Sequence, residues 1–275
     1  MSRRKIALAF VCLFLGVFCW GALRIYRLLV PDQHGAKVTH FTIKSKYLGR
    51  SIGEIAVAPK GGSAGRPLLV LLHGHNSDPS SYLTKYWFDA LAAQGDRAPD
   101  LLLVNGGYYS YYHNRRGARW GDYVMKEVIP DGIARLKADG TRIAIGGISM
   151  GGFGSLLFGL QNPGYFCAVG GHSPAMWKYG GETPLGAFDD AEDFARVDVM
   201  AMAKRSRTPF GSSKVWIDVG TADSFYKYDK QLALGLRRDR QQVTYHFWPG
   251  GHGGTYWSRH IAQYMKFYAN ALAHC

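Results

Sequence analysis

From residue 38 onward, short apolar runs alternate with stretches whose apolar residues recur every three or four positions. The strand-like runs are VTHFTIKS (38–45), SIGEIAVAP (51–59), PLLVLLHG (67–74), DLLLVNGG (100–107), RIAIGGIS (142–149), CAVGGHS (167–173), KVWIDVG (214–220) and VTYHFW (243–248). The first two, separated by KYLGR, read as a hairpin-like opening. Several of the later runs are almost wholly apolar, as strands covered on both faces should be. Helices are expected over 81–94, 122–138, 150–160, 227–240 and 256–273. Strand–helix alternation with short connections predicts an α/β domain, a mostly parallel central sheet flanked by helices. The longest irregular stretch, 175–213, is too small for a second domain and is expected to form a short cap or an inserted helix.

One segment breaks this pattern. Arg3, Arg4 and Lys5 precede eighteen residues, 6–23, without a charge. As a helix this run would reach roughly 27 Å, about the thickness of a hydrocarbon core. Nothing amphipathic marks a packing face on it. Residues 1–30 therefore read as a transmembrane signal-anchor or a cleaved signal peptide, 31–37 as a linker, and 38–275 as the catalytic domain. Either form of the segment implies export, the anchored form with the domain outside the cytoplasm and the membrane as a partner. Of the formal net charge of +13, five units belong to this segment, leaving +8 for the domain. No helix-turn-helix, zinc-finger or RNP pattern accompanies that excess, so a nucleic-acid partner is not expected. Cys167 and Cys275 lie outside the apolar segment; outside the cytoplasm they could pair, but spacing alone does not decide it.

The chemistry-bearing stretch is TRIAIGGISMGGFGSLL, 141–157. Gly147 to Gly151 spell G-x-S-x-G between a strand and a helix, the setting of a nucleophile elbow in an α/β-hydrolase fold. Ser149 would stand above the carboxyl edge of the sheet, at a helix N-terminus that favours developing negative charge. A serine needs a base oriented by an acid, and in this fold the order is Ser, then Asp or Glu, then His. Asp223, just past the strand 214–220, is the candidate acid, with Asp218 inside that strand as its rival. His252, in the glycine-rich loop after the last strand, is the candidate base; His246, His260 and His172 compete with it. The oxyanion would be held by the backbone amides of Met150 and His75. Neither a cofactor nor a metal site is indicated: His73, His75 and Asp78 are close in sequence, but no H-E-x-x-H motif accompanies them.

Six stretches carry a family resemblance: SKYLGR (45–50), LLHGHNSD (71–78), VNGGYYSYY (104–112), GISMGGFGSL (147–156), DVGTADSFY (218–226) and GGHGGTYW (250–257). Together they resemble the esterase family that holds S-formylglutathione hydrolase (esterase D), feruloyl-type esterases and the mycobacterial mycolyltransferases. The likeness runs from about Val38 to the C-terminal helix. It implies a serine hydrolase that cleaves acyl esters through an acyl-enzyme. In the family, the residues matching Ser149, Asp223 and His252 form the triad, and those matching His75 and Met150 supply the oxyanion amides. The aspartate at 223 follows the esterase branch, since the mycolyltransferases carry a glutamate there. Transfer of an acyl chain to a sugar or glycolipid acceptor is the alternative, and a non-catalytic envelope-binding protein a further one. Tyr108, Tyr109 and Tyr111, and Trp177 in the connecting stretch, are expected beside the site as substrate-binding residues, with packing as the competing reading. Asp189, Asp190, Glu192 and Asp193 are expected to form a solvated helix start rather than a cation site.

Overall fold

The computed structural model describes residues 31–62 and 64–275; the apolar segment 1–30 lies outside the described residues. Eight strands form one sheet. They are β1 (Lys37–Lys44), β2 (Ser51–Ala58), β3 (Pro67–Leu72), β4 (Asp100–Val104), β7 (Asp139–Ile148), β8 (Ala168–His172), β9 (Lys214–Gly220) and β10 (Val243–Trp248). Their order is β1-β2-β4-β3-β7-β8-β9-β10. β1 pairs antiparallel with β2, and β2 antiparallel with β4, which confirms the opening hairpin. From β4 onward every pairing is parallel. The small hairpin β5 (Asn114–Arg115) and β6 (Ala118–Arg119) stands apart and has no apolar run to announce it.

Period-two alternation divides the apolar strand residues between two helical layers. Leu69, Leu71, Leu101 and Leu103 point to one face, where Trp87 and Phe88 of α1 (Lys85–Ala92) meet Ile261, Tyr264 and Met265 of α8 (Gly254–Ala273). Leu68, Val70, Leu72 and Leu102 point to the other face. There they meet Ile129 of α3 (Ile129–Leu136), Phe153 and Leu157 of α4 (Met150–Gln161) and Leu232 of α7 (Tyr226–Arg238). The helix expected over 122–138 begins as α2 (Trp120–Tyr123) and passes through a π turn, Val124–Val128, into α3. Pro130, in the first turn of α3, has no N–H for the preceding ladder and is accommodated where that ladder widens.

Two short helices, α5 (Ala191–Arg196) and α6 (Val199–Met202), occupy the long connection before β9. The acidic stretch is less solvated than expected. Asp190 caps α5 by accepting from the Asp193 amide, while Asp193 is buried against His113 at 2.9 Å. Asp189 holds the Arg115 guanidinium at 2.8 Å. These pairs clamp the connection onto the 113–116 segment. Cys167, at the foot of β8, forms a disulfide with Cys275 across 108 residues, tying the end of the chain to the sheet. A link closing a loop of that size removes roughly 4–5 kcal/mol of chain entropy from the unfolded state. Among the described residues no helix is long and apolar enough to cross a membrane.

Candidate active site

β7 and α4 meet at Ser149, whose backbone has φ +57° and ψ −115°. A non-glycine residue in that region is strained and persists only where its surroundings hold it. Three backbone bonds do so. The Ser149 amide donates to the His172 carbonyl at 3.0 Å, and the Ser149 carbonyl accepts from Phe153 and Ala175 at 3.0 and 3.1 Å. The flanking glycines are a steric requirement of the same turn. A Cβ on Gly151 would lie 1.8 Å from the Leu72 carbonyl oxygen, and one on Gly147 would lie 2.3 Å from the Gly151 backbone. Helix and strands approach so closely here that only glycine fits.

The side chains of Ser149, His252 and Asp223 form one continuous chain of hydrogen bonds. His252 Nδ1 lies 2.8 Å from Asp223 Oδ2, and His252 Nε2 lies 2.8 Å from Ser149 Oγ. Because the carboxylate can only accept, Nδ1 carries the proton and Nε2 is left to accept from the serine hydroxyl. The other carboxylate oxygen of Asp223 accepts from the Phe225 amide at 2.9 Å. The rings of Phe225 and Trp257 contact the imidazole edge-on, each 5.1 Å away, and fix its plane. The Asp223 side chain is fully buried, whereas that of His252 is 27% exposed.

Beside Ser149 runs the loop after β3. His73 Nε2 accepts from the Gly106 amide at 3.0 Å, so its Nδ1 donates to the Gly74 carbonyl at 2.8 Å. Burial pushes the His73 imidazole below its ordinary pKa and keeps it neutral for that role. Tyr82 and Tyr112 donate to the carbonyls of Leu72 and His73, at 2.7 and 3.1 Å. The Met150 amide opens α4 and has no intrahelical acceptor. Among the described residues no acceptor takes the His75 amide either.

A cleft of about 720 Å³ opens over Ser149 and His252. It runs between the first turns of α1 and α8, past Tyr82, Tyr86, Trp87, Trp257 and Ile261, with Ser77, Ser81, Thr84, Thr255 and Ser258 as polar positions among them. Apart from Ser77, in the stretch LLHGHNSD, and Thr255 and Trp257, which close the stretch GGHGGTYW, none of these residues lies in a motif of the sequence. Their only signal is position, since each sits near the start of a helix that follows a site-bearing loop. The aromatic residues that were singled out lie elsewhere. Tyr108 and Tyr109 line a neighbouring cavity of about 570 Å³ with Arg50, Asn105 and Asp78, and Ser77 borders both spaces. Tyr111 and Trp177 are buried, with ring centres 5.3 Å apart, against Phe153 and Phe188. Both side chains are thus packed in the core, and neither lines the cleft.

The rival residues are placed just as definitely. Asp218 and His172 are fully buried and bonded to each other, so neither reaches Ser149. His246 and His260 stack on either face of Trp248, at 4.3 and 3.8 Å. Among the described residues no group of three or more His, Cys, Asp or Glu side chains is arranged to hold a metal ion.

The family model described as "Putative esterase" matches residues 45–268. Among solved structures, a ferulic acid esterase aligns with a TM-score of 0.76 at 22% identity, covering 88% of this chain and all of its own. FphF, a fluorophosphonate-binding serine hydrolase of Staphylococcus aureus, aligns at 0.70 and 19% identity, covering 86% of this chain and 99% of its own. MPT51 (FbpC1) of Mycobacterium tuberculosis aligns at 0.65 and 18%, with the same coverages. These likenesses establish the α/β-hydrolase-like fold, and the family match carries the class of reaction. The chain belongs to that esterase family and is a carboxylic ester hydrolase.

Proposed function

We propose that ester hydrolysis here is nucleophilic catalysis by Ser149, with His252 as general base and Asp223 as its orienting acid. The unbroken bond chain from Asp223 through His252 to the strained Ser149 supports this most strongly. His252 Nε2 takes the hydroxyl proton as Ser149 Oγ attacks the ester carbonyl carbon. The oxyanion that forms is held by the open amides of His75 and Met150, at the positive end of α4. The carbon–oxygen bond to the alcohol then breaks, the departing oxygen receives the proton from His252, and an acyl-enzyme remains. Water, deprotonated by His252, releases the acid by the reverse sequence.

The apolar walls of the cleft suit an acyl or aryl group of several carbons rather than acetate alone. A second reading, transfer of the acyl group to a sugar-like acceptor, is favoured by one observation. The polar cavity lined by Tyr108, Tyr109, Arg50 and Asn105 adjoins the cleft at Ser77 and could seat such an acceptor. We place the enzyme outside the cytoplasm, held by the apolar segment 6–23 or released by its cleavage. The Cys167–Cys275 disulfide supports an oxidising compartment.

The test is turnover of p-nitrophenyl esters of increasing acyl length, with and without trehalose or glucose, with mass spectrometry following the acyl group. Free acid as sole product supports hydrolysis. Acyl-sugar as main product supports transfer. Ser149→Ala retaining more than about 1% of activity, against the losses of 10³-fold and more normal for a triad serine, would end the serine mechanism.

A further inference from the structure

Tyr112 closes the stretch VNGGYYSYY, 104–112, and is fully buried. Two groups of that stretch converge on His73. The Gly106 amide donates to the imidazole Nε2 at 3.0 Å, and the Tyr112 hydroxyl donates to the backbone carbonyl at 3.1 Å. Bringing both there takes an unusual backbone. Tyr111 and Tyr112 lie in the left-handed region, at φ +45° and +57°, which residues other than glycine hold only where their surroundings impose it. The Tyr112 ring also occupies the space a Cβ would need on Gly106 or Gly154, 2.3 and 2.6 Å away. Glycine at both positions lets the ring pass beneath the loop after β3.

The consequence reaches the oxyanion. With Nε2 accepting from Gly106, the imidazole proton is on Nδ1, which donates to the Gly74 carbonyl at 2.8 Å. Among the described residues no other donor reaches that carbonyl. It belongs to the Gly74–His75 peptide, a planar trans unit whose C=O and N–H point in opposite directions. Fixing the oxygen therefore fixes the direction of the His75 N–H. The unit also lies against the nucleophile, since a Cβ on Gly74 would be 3.6 Å from the Ser149 Cβ.

We propose that His73 is a positioning residue for ester hydrolysis, its Nδ1–H bond turning the Gly74–His75 peptide so that the His75 amide faces the developing oxyanion. Gly106 and Tyr112 hold the imidazole and its backbone for that task. The inference rests on the proposed role of the His75 amide as an oxyanion donor. A donor set in place beforehand needs no reorganisation as charge develops, which is the source of its effect on rate. The bond into the carbonyl also polarises the peptide and strengthens its N–H as a donor.

The experiment compares two inhibitors on the wild type, His73→Leu and His73→Asn. Leucine and asparagine are similar in shape, but only asparagine sets an N–H where Nδ1 stood. One inhibitor is an alkyl trifluoromethyl ketone. Ser149 Oγ bonds to its carbonyl carbon, the hydroxyl proton passes to His252, and the carbonyl oxygen becomes an oxyanion with no group to expel. The other is the matching alkyl ether, which fills the cleft without reacting. His73→Leu should weaken the ketone by about 10²-fold and lower kcat equally, as loss of one oxyanion donor does. KM and the ether's affinity should stay within about threefold, because neither involves the oxyanion. His73→Asn should recover roughly tenfold of both losses. Tyr112→Phe, which deletes only the bond to the His73 carbonyl, should weaken the ketone about fivefold and spare the ether, and it serves where His73→Leu does not fold. Unchanged ketone affinity in His73→Leu or, where that variant does not fold, in Tyr112→Phe overturns the positioning role. Equal weakening of ketone and ether overturns it too, since His73 would then support the cleft as a whole. Equal losses in the leucine and asparagine variants overturn the Nδ1–H bond as the cause. A ketone bound as tightly by Ser149→Ala as by the wild type contradicts the serine nucleophile instead, a failure that involves no His73 variant.

Discussion

Two of the Asp–His pairs among the described residues lie close behind the elbow and are built to nearly the same length, yet they do opposite things. His252 and Asp223 are joined at 2.8 Å, and so, at 2.7 Å, are His172 and Asp218. The difference lies at the far nitrogen and in what surrounds the carboxylate. His252 Nε2 meets the Ser149 hydroxyl at the floor of an open cleft, whereas His172 Nε2 meets the buried Tyr268 hydroxyl at 2.8 Å. Asp218 also takes the Trp216 indole at 2.7 Å and the hydroxyls of Tyr256 and Tyr264 at 2.9 and 2.7 Å. With four donors converging on it, Asp218 is fully satisfied and its imidazole partner is locked. Such a network rigidifies a core, and here it does so directly behind the elbow, since the His172 carbonyl holds the Ser149 amide. A short Asp–His bond alone therefore identifies nothing. The far nitrogen must face a nucleophile, and the nucleophile must face solvent.

Deleting each function separately should break the comparison most sharply. Ser149→Ala should lower kcat by about 10⁴-fold or more with the melting temperature nearly unchanged. Asp223→Asn should cost on the order of 10⁴-fold in kcat, because an amide in place of the carboxylate favours the wrong imidazole tautomer. Asp218→Asn should do the reverse. It sets an NH₂ group against converging donors and should destabilise by about 3–5 kcal/mol, while activity per folded molecule stays within a few-fold. Kinetics and thermal melts on the same preparations separate the two; a large kcat loss for Asp218→Asn at full stability would merge the pairs' roles. A smaller effect should come from Trp257→Ala, which strips one wall of the cleft and one ring from His252. We expect kcat/KM for long-chain or aryl esters to fall by about 10–100-fold, and that for acetyl esters by much less. The smallest effect on catalysis concerns another buried carboxyl. Burial pushes Glu54 up to about 8, against bonds from Tyr123 and the Asn105 amide that lower it. Its folded pKa lies above its unfolded value, so the native state binds the extra proton, and stability must fall as pH rises from about 4.5 to 8. Glu54→Gln should flatten that decline, by on the order of 10 °C in melting temperature across the window. Parallel pH–melting curves for the two proteins would contradict it.

The sequence made much of this arrangement legible. Every strand of the main sheet and the order Ser, Asp, His follow from apolar runs and from glycines placed where side chains would collide. Asp223 could be preferred to Asp218 because one lies past a strand end and the other within the strand, a distinction carried by position alone. Tyr111 and Trp177 were harder to place. Aromatic residues near a site read the same whether they line it or pack beneath it, and only their contacts with Phe153 and Phe188 in the folded chain tell the two apart. The cleft's own walls were hidden for another reason. Trp87 and Trp257 belong to helices more than 150 residues apart, and only packing of α1 beside α8 makes them neighbours. Residues 1–30, which bear the expectation of export, are outside the described residues and stay a proposal.

The central claim is that only one of the two Asp–His pairs drives a nucleophile. Labelling the folded protein with a fluorophosphonate and mapping the adduct by mass spectrometry tests it most directly. The account predicts one adduct, on Ser149, absent in Ser149→Ala, formed at least about 10²-fold more slowly in Asp223→Asn and at nearly the normal rate in folded Asp218→Asn. An adduct on another serine, or equal slowing by the two asparagine substitutions, would contradict it.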